Sequence, residues 1–397
     1  MIRSIHPFPA RMAPELALGP LHDLPEGSVV LDPMSGSGTV VRQAAQMGHS
    51  SIGVDMDPLA VLMSRVWTTP IDDEVIEKVS QSLIKEALEL DGSKIELPWI
   101  DHDAETKEFV DFWFGMEQQA DLRKLAFVLH QFDKRKFSRL KHAAADVVRV
   151  ALSRIIVTKE QGASLARDTS HSRPHKVAEK SDFNVMDGLS RSLTQVRNRL
   201  IENPPVGNTR IILGDARSLK QVGSESVDAV LTSPPYLNAI DYLRGHRMSL
   251  VWLGHQLGDL RSIRSNSIGA ERAPNKPLTQ SKFEQIQRAM CADHDLPKRY
   301  VSMIERYSED VYRMVAQISR VTRIGGHATF VVGNSCLKGT FIQNSAGVAA
   351  AATMLGLREI NTFERELPTK SRYLPITGES ALGKRMRTET ILTFGKI

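Results

Sequence analysis

Ser28-Val29-Val30-Leu31-Asp32-Pro33-Met34-Ser35-Gly36-Ser37-Gly38-Thr39 is the stretch from which the fold follows. Apolar, β-branched residues run into an acid, then into a turn bearing two glycines, then into an amphipathic segment from Val40 to Met47. This reads as strand, glycine turn, helix. Gly36 and Gly38 allow the backbone to pass close to a ligand at the start of the helix, where unpaired amides favour a carboxylate or phosphate. A second strand is expected at Ser51-Ile52-Gly53-Val54-Asp55, ending in an acid about twenty residues past the glycines, the place where nucleoside sites bind ribose hydroxyls. Asp57-Pro58 then opens a helix from Leu59 to Val66, with Asp57 as its N-cap and Pro58 in its first position. No third glycine completes a Gly-x-Gly-x-x-Gly, and no Gly-Lys-Ser/Thr is present. A dinucleotide or nucleoside triphosphate is therefore disfavoured against a smaller nucleoside ligand.

The α/β pattern returns far downstream. Thr209 to Leu213 is an apolar strand ending at Gly214-Asp215-Ala216, where Asp215 either accepts from an adenine amine or caps the turn. Val227-Asp228-Ala229-Val230-Leu231-Thr232 runs into Ser233-Pro234-Pro235-Tyr236. Consecutive prolines cannot donate to a sheet ladder, so the strand must end there and deliver Ser233 and Tyr236 to its carboxyl edge. In open α/β sheets that edge is where ligands sit. A hydroxyl, a carbonyl and an aromatic face suit a flat ring bearing an exocyclic amine. A helix walling this pocket is expected next, with Asn238, Asp241, Tyr242 and His246 as polar candidates.

Between the two α/β blocks, helical periodicity over segments such as 73–90 and 109–132 predicts a mainly helical insert, followed by an exposed basic stretch over 158–182. Residues 261–299 carry eight lysines and arginines with little apolar periodicity, which predicts a basic loop able to touch nucleic acid. A helix over 300–321, a strand over 327–332, a helix over 346–355 and closing strands at 357–363 and 388–394 complete the pattern. The last two strands suit the antiparallel end of a sheet. A basic loop over 365–387, containing Tyr373, is expected between them. At the other end, the proline-rich segment from Ile5 to Leu16 is too stiff for a strand and is expected to pack over the core.

With 397 residues, 41% hydrophobic and 24% charged, the composition is that of a globular protein able to bury a large core. The net charge of +5 permits a polyanionic partner without requiring one. Cys291 and Cys336 stand far apart with no Cys-x-x-Cys, which disfavours structural zinc or a disulfide scaffold. No signal core or membrane-length apolar run is present, so a cytoplasmic protein with no membrane partner and no metal is expected.

Taken together these residues resemble the amino-group DNA methyltransferases that use S-adenosylmethionine. Asp32 to Thr39 is similar to that family's cofactor loop, usually Asp-Pro-Phe-x-Gly-Ser-Gly-Thr, with Met34 in the aromatic position. Ser233-Pro234-Pro235-Tyr236 is similar to its catalytic motif, and His6 to Arg11 to the leader of one branch. The resemblance implies a Rossmann-like methyltransferase sheet, α/β and mostly parallel with an antiparallel end strand, plus a helical insert. It implies a catalytic domain made of 1–68, 206–260 and 300–397, an insert over 69–205, and the basic loop over 261–299.

Carried over residue by residue, Asp32, Gly36 and Gly38 would hold the methionine end of S-adenosyl-L-methionine, with Pro33, Ser35 and Thr39 also binding the cofactor. Asp55 and Met56 would lie at the ribose and Asp215 and Ala216 at the adenine, while Phe8 would supply the aromatic contact that Met34 does not. Ser233, Pro234, Pro235 and Tyr236 would hold the target base. Serine in the first motif position is commoner among enzymes acting on cytosine N4. The implied substrate is double-stranded DNA with the base flipped out, in a restriction-modification setting where a cognate restriction enzyme is a possible partner. The oligomeric state is not read from the sequence. Adenine N6, guanine N2 of RNA, and a non-catalytic nucleic-acid-binding role are the alternatives. RNA enzymes usually carry Asp before Pro-Pro-Tyr and an N-terminal RNA-binding domain, for which no room is expected ahead of the leader.

Overall fold

The computed structural model describes residues 2–7, 12, 19–167, 174–237, 241–270, 281–291, 296–337, 340–366 and 388–397. Phe8 and Asn238, the tip of the basic stretch at 168–173, and the basic loop beyond Glu366, with Tyr373 in it, lie outside these residues.

Seven strands form one sheet: β1 (Val29–Asp32), β2 (Ser50–Asp55), β3 (Thr209–Leu213), β4 (Val227–Thr232), β5 (Thr322–Gly333), β6 (Leu357–Glu366) and β7 (Thr388–Lys396). Their order across the sheet is β6-β7-β5-β4-β1-β2-β3. Every neighbouring pair from β3 to β5 is parallel, and β7 runs antiparallel to both β5 and β6. The chain winds outward from β1 to β3, then returns to lay β4 on the other side of β1. The β1/β4 boundary is thus the topological switch point, where a crevice opens at the carboxyl ends.

Alternation along the strands sends Leu31 and Val230 to one face and Val30 and Leu231 to the other. The first face is covered by α11 (Lys298–Val321) and α12 (Asn344–Met354), whose Val311, Met314, Val315, Val348 and Ala351 are fully buried there. The second receives α1 (Thr39–Gln46) through Val40 and Ala44. Beside α1 lies α2 (Pro58–Thr68), begun by Asp57, whose carboxylate accepts from the Leu59 amide at 2.9 Å with Pro58 at the first position.

The region between β2 and β3 is helical: α3 (Asp73–Glu89), α4 (Ala104–Trp113), α5 (Met116–Lys134), α6 (Arg139–Ile156) and α7 (Val185–Glu202). The periodic run over 109–132 is broken at Phe114-Gly115, where Phe114 leaves the helix to stack edge-on against Trp252, ring centroids 5.0 Å apart. These helices share one hydrophobic cluster with α2 and with α8 (Leu243–Leu250), which follows the β4 loop. Trp99 of the insert donates its indole N–H to the Val251 carbonyl at 2.8 Å. Within the basic stretch, Ala166–Arg167 and His175–Lys176 pair as a short antiparallel ribbon.

One expectation is corrected. Residues 261–299 do not form a loop throughout, because α9 (Leu257–Asn266), α10 (Ser281–Met290) and the start of α11 occupy much of the segment. Phe283, Ile286 and Met290 lie on one helical face and are buried at 5% exposure or less, against α11 and α12. The charges between them hide this sparse spacing from a reading of composition. Strand β5 also begins before Gly325-Gly326 and carries the pair inside it, with the register against β4 slipping there.

Candidate active site

Pairing of Val30 with Ala229 and Leu31 with Val230 makes β1 and β4 immediate parallel neighbours. The glycine loop after Asp32 and the proline loop after Thr232 therefore leave the same rim side by side. A hydrogen bond ties their roots, Thr232 Oγ1 donating to Asp32 Oδ1 at 2.8 Å. Asp32 is 4% exposed and also accepts from the Met34 amide at 3.2 Å. Burial pushes its carboxyl up to about 7, against the pull of those two donors.

The glycine loop is a tight turn in which the Gly38 amide donates to the Ser35 carbonyl at 2.8 Å. Gly38 adopts φ +91°, and a Cβ there would lie 2.5 Å from Ser64 Oγ, so only glycine lets α1 start this close to α2. Three buried hydroxyls surround the loop, those of Ser35, Ser37 and Ser64, none of them hydrogen-bonded among the described residues. Pro33 and Thr39 are buried at the two ends of the turn. A buried carboxyl with no cation beside it among the described residues, near unpaired hydroxyls and a helix N-terminus, suits a ligand that brings both an ammonium and a carboxylate.

Asp55 ends β2 half-buried and clamps two backbones at once: Oδ2 accepts from the Gly36 amide at 2.8 Å and Oδ1 from the Asp57 amide at 2.9 Å. Burial, reinforced by the neighbouring Asp57 carboxylate, pushes its carboxyl up to about 6. Across β3, Asp215 is held by Arg217, whose amide and guanidinium both donate to it at 2.8–3.1 Å. The turn-capping alternative is therefore present in the structure. Arg217 also donates to Asp310 of α11 at 2.6 Å and lies 3.9 Å from the Met56 sulfur, so it ties the ends of β2 and β3 to α11. Ala216 is buried beside it.

In the proline loop, Ser233 donates its hydroxyl proton to the Val331 carbonyl of β5 at 3.0 Å. That bond uses the proton and leaves the oxygen as an acceptor. Tyr307 donates to the Pro235 carbonyl at 3.0 Å, Ser335 to the Leu237 carbonyl at 2.7 Å, and Pro234 is buried. Nothing among the described residues donates to the Pro234 carbonyl. The Tyr236 ring is half-buried, and its hydroxyl donates to Glu389 of β7 at 3.3 Å.

Of the polar candidates beyond the loop, Asp241 pairs with Arg264 and lies 3.8 Å from Arg244. Tyr242 is half-buried at the N-cap of α8. His246 is buried and bonds through Nδ1 to Asp57 Oδ2. Although burial opposes it, that pairing and the Leu59 and Ala60 amides hold the Asp57 carboxyl below its usual range. Asp241 and His246 thus have protein partners as their nearest polar contacts. Sequence reasoning missed Thr232, Arg217, Tyr307 and Glu389. Thr232, adjoining the proline motif, and Arg217, two residues past Asp215, carried a local signal; Tyr307 and Glu389 reach the site from remote elements.

No protein-family model matches the chain. It is 24% identical over 405 residues to the type II methyltransferase M.MvaI of Kocuria varians, covering 92% of this chain and 84% of that one. To the type II methyltransferase M.BsoBI of Geobacillus stearothermophilus it is 23% identical over 419 residues, covering 91% and 79%. A solved S-adenosylmethionine-dependent methyltransferase from Methanosarcina mazei is 9% identical over 98% of this chain and 99% of its own, with a TM-score of 0.34.

Proposed function

We propose that this chain, an S-adenosylmethionine-dependent DNA methyltransferase homologous to the type II enzymes, transfers its methyl group to the exocyclic amine of a base turned out of duplex DNA, cytosine N4. The observation that carries this reading is the pair of loops at the β1/β4 boundary, rooted together by Thr232 and Asp32. Bound there, S-adenosylmethionine supplies an electrophilic methyl on a sulfonium. The ammonium of its amino acid would face Asp32 and the carboxylate the amides and hydroxyls of the glycine loop. Asp55 holds that loop closed and would take the ribose hydroxyls with Met56 beside it, and Ala216 would border the adenine.

On the proline side, Ser233 Oγ and the Pro234 carbonyl are two acceptors set beside one aromatic ring. An exocyclic amine is a poor nucleophile because its lone pair is delocalised into the ring. Hydrogen bonds from its two N–H groups to these acceptors favour the pyramidal form and direct the lone pair at the methyl, so that positioning supplies most of the rate. Base extrusion is required because the amine is out of reach inside a duplex, and Tyr236 provides the stacking face. Such an enzyme would protect DNA from a restriction endonuclease of the same specificity.

Incubation of the protein with methyl-labelled S-adenosylmethionine and duplex DNA, RNA or no substrate, followed by mass identification of the modified nucleoside, tests the proposal. N4-methylcytosine in DNA is the expected product. N6-methyladenine would overturn the base assignment alone, and label in RNA only would overturn the substrate class.

A further inference from the structure

Methylation of a neutral amine leaves a proton behind. As the N–C bond forms and the S–C bond breaks, the nitrogen acquires a fourth substituent and a positive charge, and one N–H proton must be given up. Ser233 is far too weak a base to keep that proton, and Asp32 and Asp55 are engaged by the glycine loop. Behind the proline loop, however, the Tyr236 hydroxyl meets the Glu389 carboxylate at 3.3 Å, and the Ser233 hydroxyl also reaches the Tyr236 hydroxyl. Two hydroxyls in series thus connect the place assigned to the amine with one carboxylate on the reversed strand β7.

We infer that Glu389 is the residue that receives the proton released by the methylated amine, passed through the Ser233 and Tyr236 hydroxyls. In this step the Ser233 hydroxyl proton, donated at rest to the Val331 carbonyl, turns to Tyr236 Oη and is transferred there as the nitrogen gives its proton to Ser233 Oγ, and Tyr236 gives its own to Glu389 Oε1. The net change is a neutral methylamine and a neutral carboxylic acid. Glu389 is half-exposed, so it returns the proton to solvent between turnovers.

The surroundings suit the task. Partial burial pushes the Glu389 carboxyl up from its ordinary value, partly countered by the Tyr236 hydroxyl and by Arg365 of β6. A raised carboxyl is a stronger proton acceptor than one in water. Its partner on β5 is the uncharged Gly333, and on β6 it lies opposite Arg365. Burial, with Glu389 and Tyr307 of α11 nearby, holds the Tyr236 hydroxyl far above its usual range, so tyrosine conducts the proton without itself ionising. Glu389 never touches the base and is a positioning and proton-accepting residue acting through Tyr236.

The inference rests on the proposed function and is tested by the pH dependence of single-turnover methyl transfer at saturating cofactor. The wild type is expected to lose rate on acidification, as Glu389 becomes protonated and cannot accept. Glu389→Gln still accepts a hydrogen bond from Tyr236 but cannot take up the released proton. It is expected to be slower by about 10²-fold, at the low end for proton-transfer catalysis, and to lack the acid limb. Tyr236→Phe keeps the ring, breaks the chain and should lose the same limb, which keeps the test decisive if Glu389→Gln fails to fold. A wild-type profile without an acid limb, or either variant retaining that limb, overturns the relay while leaving DNA methylation standing. No methyl transfer to DNA by the wild type removes the functional reading and the relay together.

Discussion

Asp32 carries the strongest electrostatic signature in the site. Its carboxyl ordinarily titrates at 3.8 and in the fold at about 7, so between those values the native state retains a proton that the unfolded chain has lost. Stability must therefore fall as pH rises from about 4 to about 7, with Asp55, raised to about 6, acting in the same sense. Asp57, held low by His246, acts oppositely at more acid pH. Thermal melting of the ligand-free protein should show a lower midpoint at pH 8 than at pH 5, and Asp32→Asn should flatten the difference. An unchanged slope would remove Asp32 as its source. At the neighbouring loop, Tyr236→Ala should abolish methyl transfer while S-adenosylmethionine affinity measured by calorimetry stays within a few-fold. Parallel loss of both would make the loop a structural element alone.

Among the elements, the start of α1 is the most constrained. Gly38 combines a left-handed backbone with contact against Ser64 of α2. Gly38→Ala should cost roughly 1–2 kcal/mol for the backbone alone, with more for pushing α1 and α2 apart. Chemical denaturation would read that cost, and cofactor affinity should weaken with it if the displaced turn is the cofactor loop proposed above. The remote elements reach the site by side chains: α11 through Tyr307 on Pro235 and through Asp310 on Arg217, and β7 through Glu389 on Tyr236. Burial pushes the Asp310 carboxyl up even though Arg217 and Arg306 draw it down, so the Arg217 contact offsets a real desolvation cost.

For the molecule as a whole, the helical insert shares its hydrophobic core with the helices α2 and α8 that flank the sheet, so insert and sheet are expected to unfold together. A single hydrophobic cluster holds Phe114 and Leu129 of the insert together with Met63 of α2 and Trp252 beyond α8. Trp252 is fully buried, 1% exposed, at the centre of this contact. Trp252→Ala should destabilise the whole chain by about 3–5 kcal/mol. Its unfolding should stay a single transition whether followed by tryptophan fluorescence or by far-UV circular dichroism. Separate transitions for insert and sheet would contradict a shared core. Among the described residues no helix is long and apolar enough to cross a membrane.

The strand-turn-helix from Val29 to Gln46, the Asp57-Pro58 helix start and the end of β4 at Ser233-Pro234 were legible because each is fixed by neighbours in sequence: β-branching, glycine conformation, capping and the missing proline amide. The helices within 261–299 were not, since their few apolar residues acquire meaning only against α11 and α12. Nor was the second half of the site. Tyr307 and Glu389 stand 71 and 153 residues from Tyr236 along the chain, and Glu389 meets the proline loop because the sheet order places β4, β5 and β7 in succession, while Tyr307 meets it from the helix packed over those strands. Local sequence determined which residues leave the sheet and in what backbone shape. Tertiary structure decided which carboxyls are desolvated, which hydroxyls are already bonded and which acid stands behind the tyrosine, because burial and long-range pairing depend on what the rest of the chain brings alongside.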